Sequence, residues 1–135
     1  MTTAGYSSTP LHRKLGIKRD SRVLLTAAPP GFGMDGSPAD AVVHTRAASS
    51  AYDGIVAFCP DRKRLERRFT GLIPRMTTAG ALWIAWPKRS SGVETDIDEN
   101  VVREVGLGEG LVDVKVIAID DIWSGLKFVR RLRDR

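Results

Sequence analysis

The chain has 135 residues, 42% of them hydrophobic and 27% charged, with 21 Lys and Arg against 16 Asp and Glu for a formal net charge of +5. That length suits one domain able to bury a core without covalent staples, and the single cysteine, Cys59, excludes an internal disulfide and a cysteine-based metal centre within one chain. No apolar run approaches the roughly 20 residues that cross a bilayer, and MTTAGYSSTPLHRK at the start lacks the apolar stretch of a signal peptide, so the expectation is a cytoplasmic protein that does not engage a membrane.

In chain order, residues 1–10 read as a flexible leader closed by Pro10, with one α/β domain over residues 11–135. LHRKLGI predicts one helical turn ending at Gly16. RVLLTAAPPGFG predicts a strand over residues 23–26 that runs out into a Pro-Pro-Gly turn. In the weakly patterned stretch that follows, Val42 and Val43 suit a short strand, and the Ala/Ser residues after them suit a loop or a poor helix. The apolar run 55–59, between Gly54 and Pro60, suits a strand buried on both faces, and Cys59 within it reads as a buried, inert thiol.

DRKRLERRFTGLIPRM then places Leu65, Phe69, Leu72, Ile73 and Met76 at helical spacing, with Asp61 as N-cap and Pro74 bending or ending the helix. GALWIAWPK predicts another strand, stopped by Pro87. TDIDENVVREVGLGEG predicts a helix of about ten residues, capped by Asp96 with Glu99 three positions later, striped by Ile97, Val101, Val102 and Val105, and stopped at Gly106. LVDVKVIAID and GLKFVRR are two strands whose connection, DIWS, is too short for a parallel crossover and implies an antiparallel hairpin. Strict alternation puts Asp113 and Lys115 on one face of the first of them.

Alternating strands and helices of this kind predict a three-layer, Rossmann-like α/β fold with a mainly parallel sheet and an antiparallel C-terminal hairpin. In such sheets ligands bind beyond the carboxyl ends of the parallel strands, which selects TAAPPGFG, CPD and WPKRSSG. Candidate ligand residues there are Gly31 and Gly33 in the first loop, and Trp86 as a stacking face with Lys88, Arg89, Ser90 and Ser91 in the third. Pro29 and Pro30 have no N–H to offer a phosphate, and neither a Walker loop nor G-x-G-x-x-G is present. A small anion at the third loop is the expected ligand.

His12 and His44 sit in separate polar segments, so no metal is expected, and there is no Ser/His/Asp set or nucleophile beside a base. The excess positive charge falls on DRKRLERR, with Arg62, Lys63 and Arg67, and on the tail, with Arg130, Arg131 and Arg133. These runs read as solvated surface, with nucleic-acid binding as a less favoured alternative because no aromatic residues interleave them.

The pieces WPK, TD, VRE, GLVDVKV, AID and WSGLKFVRR, with LGIK and RVLL nearer the start, are similar to a bacterial family common in actinobacteria and known as a domain of unknown function; the family supplies no activity. More distantly, LGIKRDSRVLLTAAPPG, YDGIVAF, ALWIAW and the closing hairpin resemble the first, fourth, fifth and last strands of class I methyltransferases. That fold's acidic residue and G-x-G loop after the first strand are replaced here by TAAPPGFG, and the usual ribose-binding strand and its helices have no room. The resemblance therefore implies a truncated methyltransferase-like frame without a cofactor. The reading is a non-catalytic binding or regulatory module for a protein or a small anionic ligand; the alternative is a degenerate transferase using the same cleft. Strand edges near the hairpin are compatible with a homodimer.

Overall fold

The computed structural model describes residues 9–33 and 41–135. Helix α1 (Leu11–Lys14) leads into β1 (Arg22–Thr26), followed by β2 (Val42–His44), β3 (Tyr52–Phe58), α2 (Arg62–Leu72), β4 (Met76–Pro87), α3 (Glu99–Gly108), β5 (Leu111–Ala118) and β6 (Trp123–Arg130). All but the last two residues of the expected leader lie outside the described residues.

The strands form one sheet in the order β2-β1-β3-β4-β6-β5. The first four are parallel, and β6 runs antiparallel to both β4 and β5. The result is the Rossmann-like α/β fold expected. The hairpin forms as expected, but its second strand is the one that docks on β4, which leaves β5 at the edge.

The central strands are apolar on both sides because both faces are covered. In β3, Ile55, Val56, Ala57 and Phe58 alternate between two clusters and all are buried. Helices α2 and α3 cover one face. Leu65, Phe69 and Leu72 of α2, at i, i+4 and i+7, pack with Val102 of α3 on Ile55, Leu82, Ile84, Leu126 and Phe128. On the other face, among the described residues, the third layer is thin: Leu15 and Ile17, just after α1, pack on Val23, Val56 and Trp83. The Trp83 indole pins that corner by donating from Nε1 to the Leu15 carbonyl at 3.2 Å.

Local signals explain most boundaries. Asp61 caps α2, accepting from the Arg64 N–H at 2.8 Å. At the other end Pro74 diverts the chain into a short 3-10 turn, Ile73–Arg75. Arg130 donates to the Ile73 and Met76 carbonyls there, at 2.8 and 3.2 Å. Met76, expected on the helix stripe, is instead the first residue of β4. Residues 45–51 are neither helix nor strand. They are held by the buried Tyr52 hydroxyl, which accepts from Ala48 N–H at 2.9 Å and lies 2.7 Å from His44 Nδ1.

Three expectations are corrected. The N-cap of α3 is Asp98, whose carboxylate accepts from Val101 N–H at 2.9 Å; Asp96 reaches away to accept from Arg62 N–H at 2.8 Å. Helix α3 passes through Gly106 and ends two residues later, with the chain turning at Gly110, φ +92°. Gly106 is buried in the helix because the Phe128 ring lies against it, where any Cβ would come within 2.0 Å of that ring. Finally, Val114 is an extra residue in the β5 ladder, since Asp113 pairs with Phe128 and Lys115 with Lys127. The bulge puts Asp113 and Lys115 on opposite faces. Asp113 meets Arg103 of α3, its Oδ2 accepting from Nε at 2.9 Å, and this guanidinium holds its carboxyl below the usual carboxylate range.

Candidate functional site at the carboxyl edge

Parallel register brings the ends of β1, β3 and β4 to one edge, since Thr26 pairs with Ala57 and Phe58 with Ala85. The three proline-bearing loops therefore share that edge, and the β5–β6 turn joins them: Lys88 N–H donates to the Ile122 carbonyl at 2.8 Å. Strand order reverses between β1 and β3, because β2 lies to one side of β1 and every later strand to the other. That is the topological switch point, where open α/β sheets hold their ligands.

Here an aromatic contact lies beside the switch point. Beyond β1 the chain turns at Ala27, φ +59°, and Gly31, φ +80°. This folds Phe32 back so that its ring meets Phe58 edge-on, 4.9 Å between centroids. Trp123, at the start of β6, meets the same Phe58 ring at 5.1 Å. Such edge-on pairs add about 0.5–1.5 kcal/mol beyond area burial. Between the two glycines, expected as backbone donors, it is the Phe32 side chain that makes the contact.

The neighbouring helix ends are also occupied. At the start of α2 the Asp61 and Asp96 carboxylates take the Arg64 and Arg62 N–H groups, and Asp98 caps α3. Thr95 Oγ1 donates to the Pro60 carbonyl at 2.7 Å and accepts from Ile97 N–H at 3.1 Å, stitching the loop after β4 onto CPD. Cys59, between these elements, is buried, and desolvation pushes its thiol up to about 11 against the partial opposition of Arg68.

The third loop divides by role. Trp86 is 4% exposed and belongs to the cluster under α2 and α3, so it has no open face for stacking. Arg89, Ser90 and Ser91 form a 3-10 turn, in which Ser91 Oγ donates to the Lys88 carbonyl at 2.7 Å and accepts from Val93 N–H at 3.1 Å. Trp86 and Arg89 border a cavity of about 430 Å³ whose other polar lining includes Glu94, Asp96 and Asp98. One arginine against three carboxylates is a poor setting for an anion. Gly31 and Gly33 lie on the separate loop after β1.

The basic runs are dispersed. Arg62 pairs with Glu66 at 3.4 Å, while Lys63 and Arg67 are exposed along α2. Arg130 binds backbone carbonyls as described, Arg131 donates to the Leu107 carbonyl at 3.5 Å, and Arg133 is exposed in the closing 3-10 turn. Among the described residues no group of three His, Cys, Asp or Glu is placed to share a metal ion, and no helix is long and apolar enough to cross a membrane.

No family model matches the chain, and no curated protein does. Solved structures do. The chain is similar to DhpI in its SAH complex, with a TM-score of 0.60 at 10% identity over 92% of this chain and 83% of that one. It is similar to a TehB-like SAM-dependent methyltransferase from Corynebacterium glutamicum, with a TM-score of 0.56 at 13% identity, covering 95% and 91% of the two chains. Against magnesium protoporphyrin IX methyltransferase from Synechocystis the TM-score is 0.51 at 10% identity, over 75% of this chain, which spans only 53% of that protein. These likenesses show the fold: a small, methyltransferase-like Rossmann-type domain.

Proposed function

We propose that the chain is a non-catalytic binding or regulatory module built on this methyltransferase-like frame. The observation that carries the reading is the Phe32 ring against Phe58 at the switch point, with Trp123 behind it. A nucleoside cofactor seated there would compete with this ring for space. It also needs backbone donors, which Pro29 and Pro30 lack, and it meets helix ends already capped by Asp61, Asp96 and Asp98. The actinobacterial-type family suggested by WPK, TD and WSGLKFVRR fits this reading, because Trp86, Thr95 and Asp96 serve packing and loop closure.

A degenerate methyltransferase is the second reading, favoured by the strand order with its reversed β6. Thermal unfolding of the full chain in SAM and in SAH separates the two. The module reading expects an unchanged midpoint with both. A bound ligand at 100 times its Kd adds about 2.7 kcal/mol, so a saturable rise with either compound overturns it in favour of the transferase.

A further inference from the structure

The face of the sheet opposite α2 and α3 carries a second concavity, at the amino ends of the parallel strands and away from the switch point. Leu15, Ile17 and Lys18 overhang the starts of β1, β3 and β4 and leave a cavity of about 210 Å³. Ala81 and Val129 give it apolar surface, and among the described residues its ionisable groups are Lys18, Asp53 and Lys127.

Lys127 stands directly opposite Lys115 in the antiparallel β5–β6 ladder. Directly opposed residues share a face, and like charges so placed destabilise the pair. Nothing in the described protein relieves them: Lys18, Lys115 and Lys127 make no ion pair and no side-chain hydrogen bond among the described residues. Asp53 is engaged elsewhere, its Oδ2 accepting from Arg22 N–H at 2.8 Å and its Oδ1 from Thr77 Oγ1 at 3.5 Å. Asp20 borders an adjoining shallower hollow with Lys18 and Arg19. Lys127 is half-buried, and desolvation, then Lys115 and Lys18, hold its ammonium below the usual lysine range.

We propose that this cavity binds a small organic anion, a carboxylate or phosphate ester on an apolar body, with Lys127 and Lys18 on the charged group and Ala81 and Val129 against the body. Lys115 strengthens the field from across the ladder. An anion neutralises a like-charge pair that the fold otherwise carries at a loss. Small concave size favours a compact ligand over a nucleic-acid strand, which needs a track of cations or stacking rings; among the described residues no aromatic side chain lines the cavity. The inference rests on the binding-module reading and supplies its ligand class, but uses neither Phe32 nor the carboxyl edge.

The test titrates the full chain with phenyl phosphate, benzoate, inorganic phosphate and neutral benzyl alcohol at constant ionic strength, reading the unfolding midpoint and calorimetric Kd. Phenyl phosphate or benzoate raises the midpoint saturably, the stronger of the two identifying the headgroup, and benzyl alcohol does not. Lys127→Gln and the exposed Lys115→Gln each weaken binding about tenfold, whereas Lys63→Gln on α2 leaves it unchanged. The proposal is overturned by no saturable binding, by an equal response to inorganic phosphate, by binding insensitive to both lysine variants, or by an oligonucleotide that binds and that neither organic anion displaces. SAH run in parallel keeps the two readings apart. SAH binding alongside intact anion binding sinks the module reading and leaves the site; silence from SAH and from both organic anions sinks the site alone.

Discussion

Helix α3 offers two glycines, Gly106 and Gly108, at which the same substitution to alanine has opposite consequences. A Cβ at Gly106 would lie 2.0, 2.3 and 2.7 Å from Cε1, Cζ and Cδ1 of Phe128. Carbon atoms settle at about 3.5–4.0 Å, so ring or helix must retreat by roughly 1.5 Å. The ring has little freedom to do so, since Phe128 is 0% exposed and meets Phe69 edge-on at 5.5 Å. Overpacking of this kind costs about 1–3 kcal/mol, here at the upper end, while alanine returns about 1 kcal/mol of helix propensity. Gly106→Ala should therefore lose about 2 kcal/mol, which at about 2.1 cal/mol/K per residue lowers the midpoint by roughly 7 °C. At Gly108 a Cβ meets nothing within 4 Å, so Gly108→Ala should gain about 0.5 kcal/mol. Urea and thermal unfolding followed by circular dichroism measure both. A Gly106→Ala protein as stable as the Gly108→Ala protein would refute the reasoning, because α3 would then ride higher on β6 than the structure has it. Adding Phe128→Leu to Gly106→Ala should recover part of the loss, with a coupling above about 1 kcal/mol.

The Cys59 thiol, raised from 9.0 to about 11, keeps its proton in the folded state where the unfolded chain has released it, so stability falls as pH rises from 9 towards 11. The loss is on the order of 2 kcal/mol, and a Cys59→Ala protein whose stability declines as steeply over that window would refute it; the native thiol should also resist a thiol reagent until the chain unfolds. Lys115→Glu turns an opposed like-charge pair into an attractive one and should raise stability by about 0.5–1 kcal/mol in denaturant titration without added anions, whereas an unchanged midpoint would mean that the two lysines do not feel each other. Asp98→Ala removes the α3 cap and should cost about 1 kcal/mol by the same titration; no loss would return that role to Asp96.

What the sequence revealed was whatever a few neighbours decide. Asp61 announced the start of α2, Pro87 ended β4, and the short link between the last strands forced a hairpin. What it concealed depended on residues far away. Asp96 and Asp98 are equally good caps by type, and the choice falls to the Arg62 N–H that draws Asp96 off. Gly106 looked like a stop because the ring that requires it lies 22 positions later. The Val114 bulge leaves no trace in the alternation of LVDVKVIA, yet it decides which face Lys115 joins. Strand polarity singled out the carboxyl edge as a meeting place of loops, but not the Phe32 ring that packs on Phe58 there. The cavity brings positions 18 and 127 together, with 115 opposite 127 in the ladder, a grouping no local pattern could reveal.

The outer edge of β5 carries one more consequence of its bulge. An edge strand of eight residues would offer another chain a continuous row of unpaired backbone groups. Val114 interrupts that row, leaving residues 111–113 and 115–118 as two short runs with a charged lysine at the break. On the far side β2 spans only three residues. Growth of the sheet from one copy into the next is thus disfavoured at both ends.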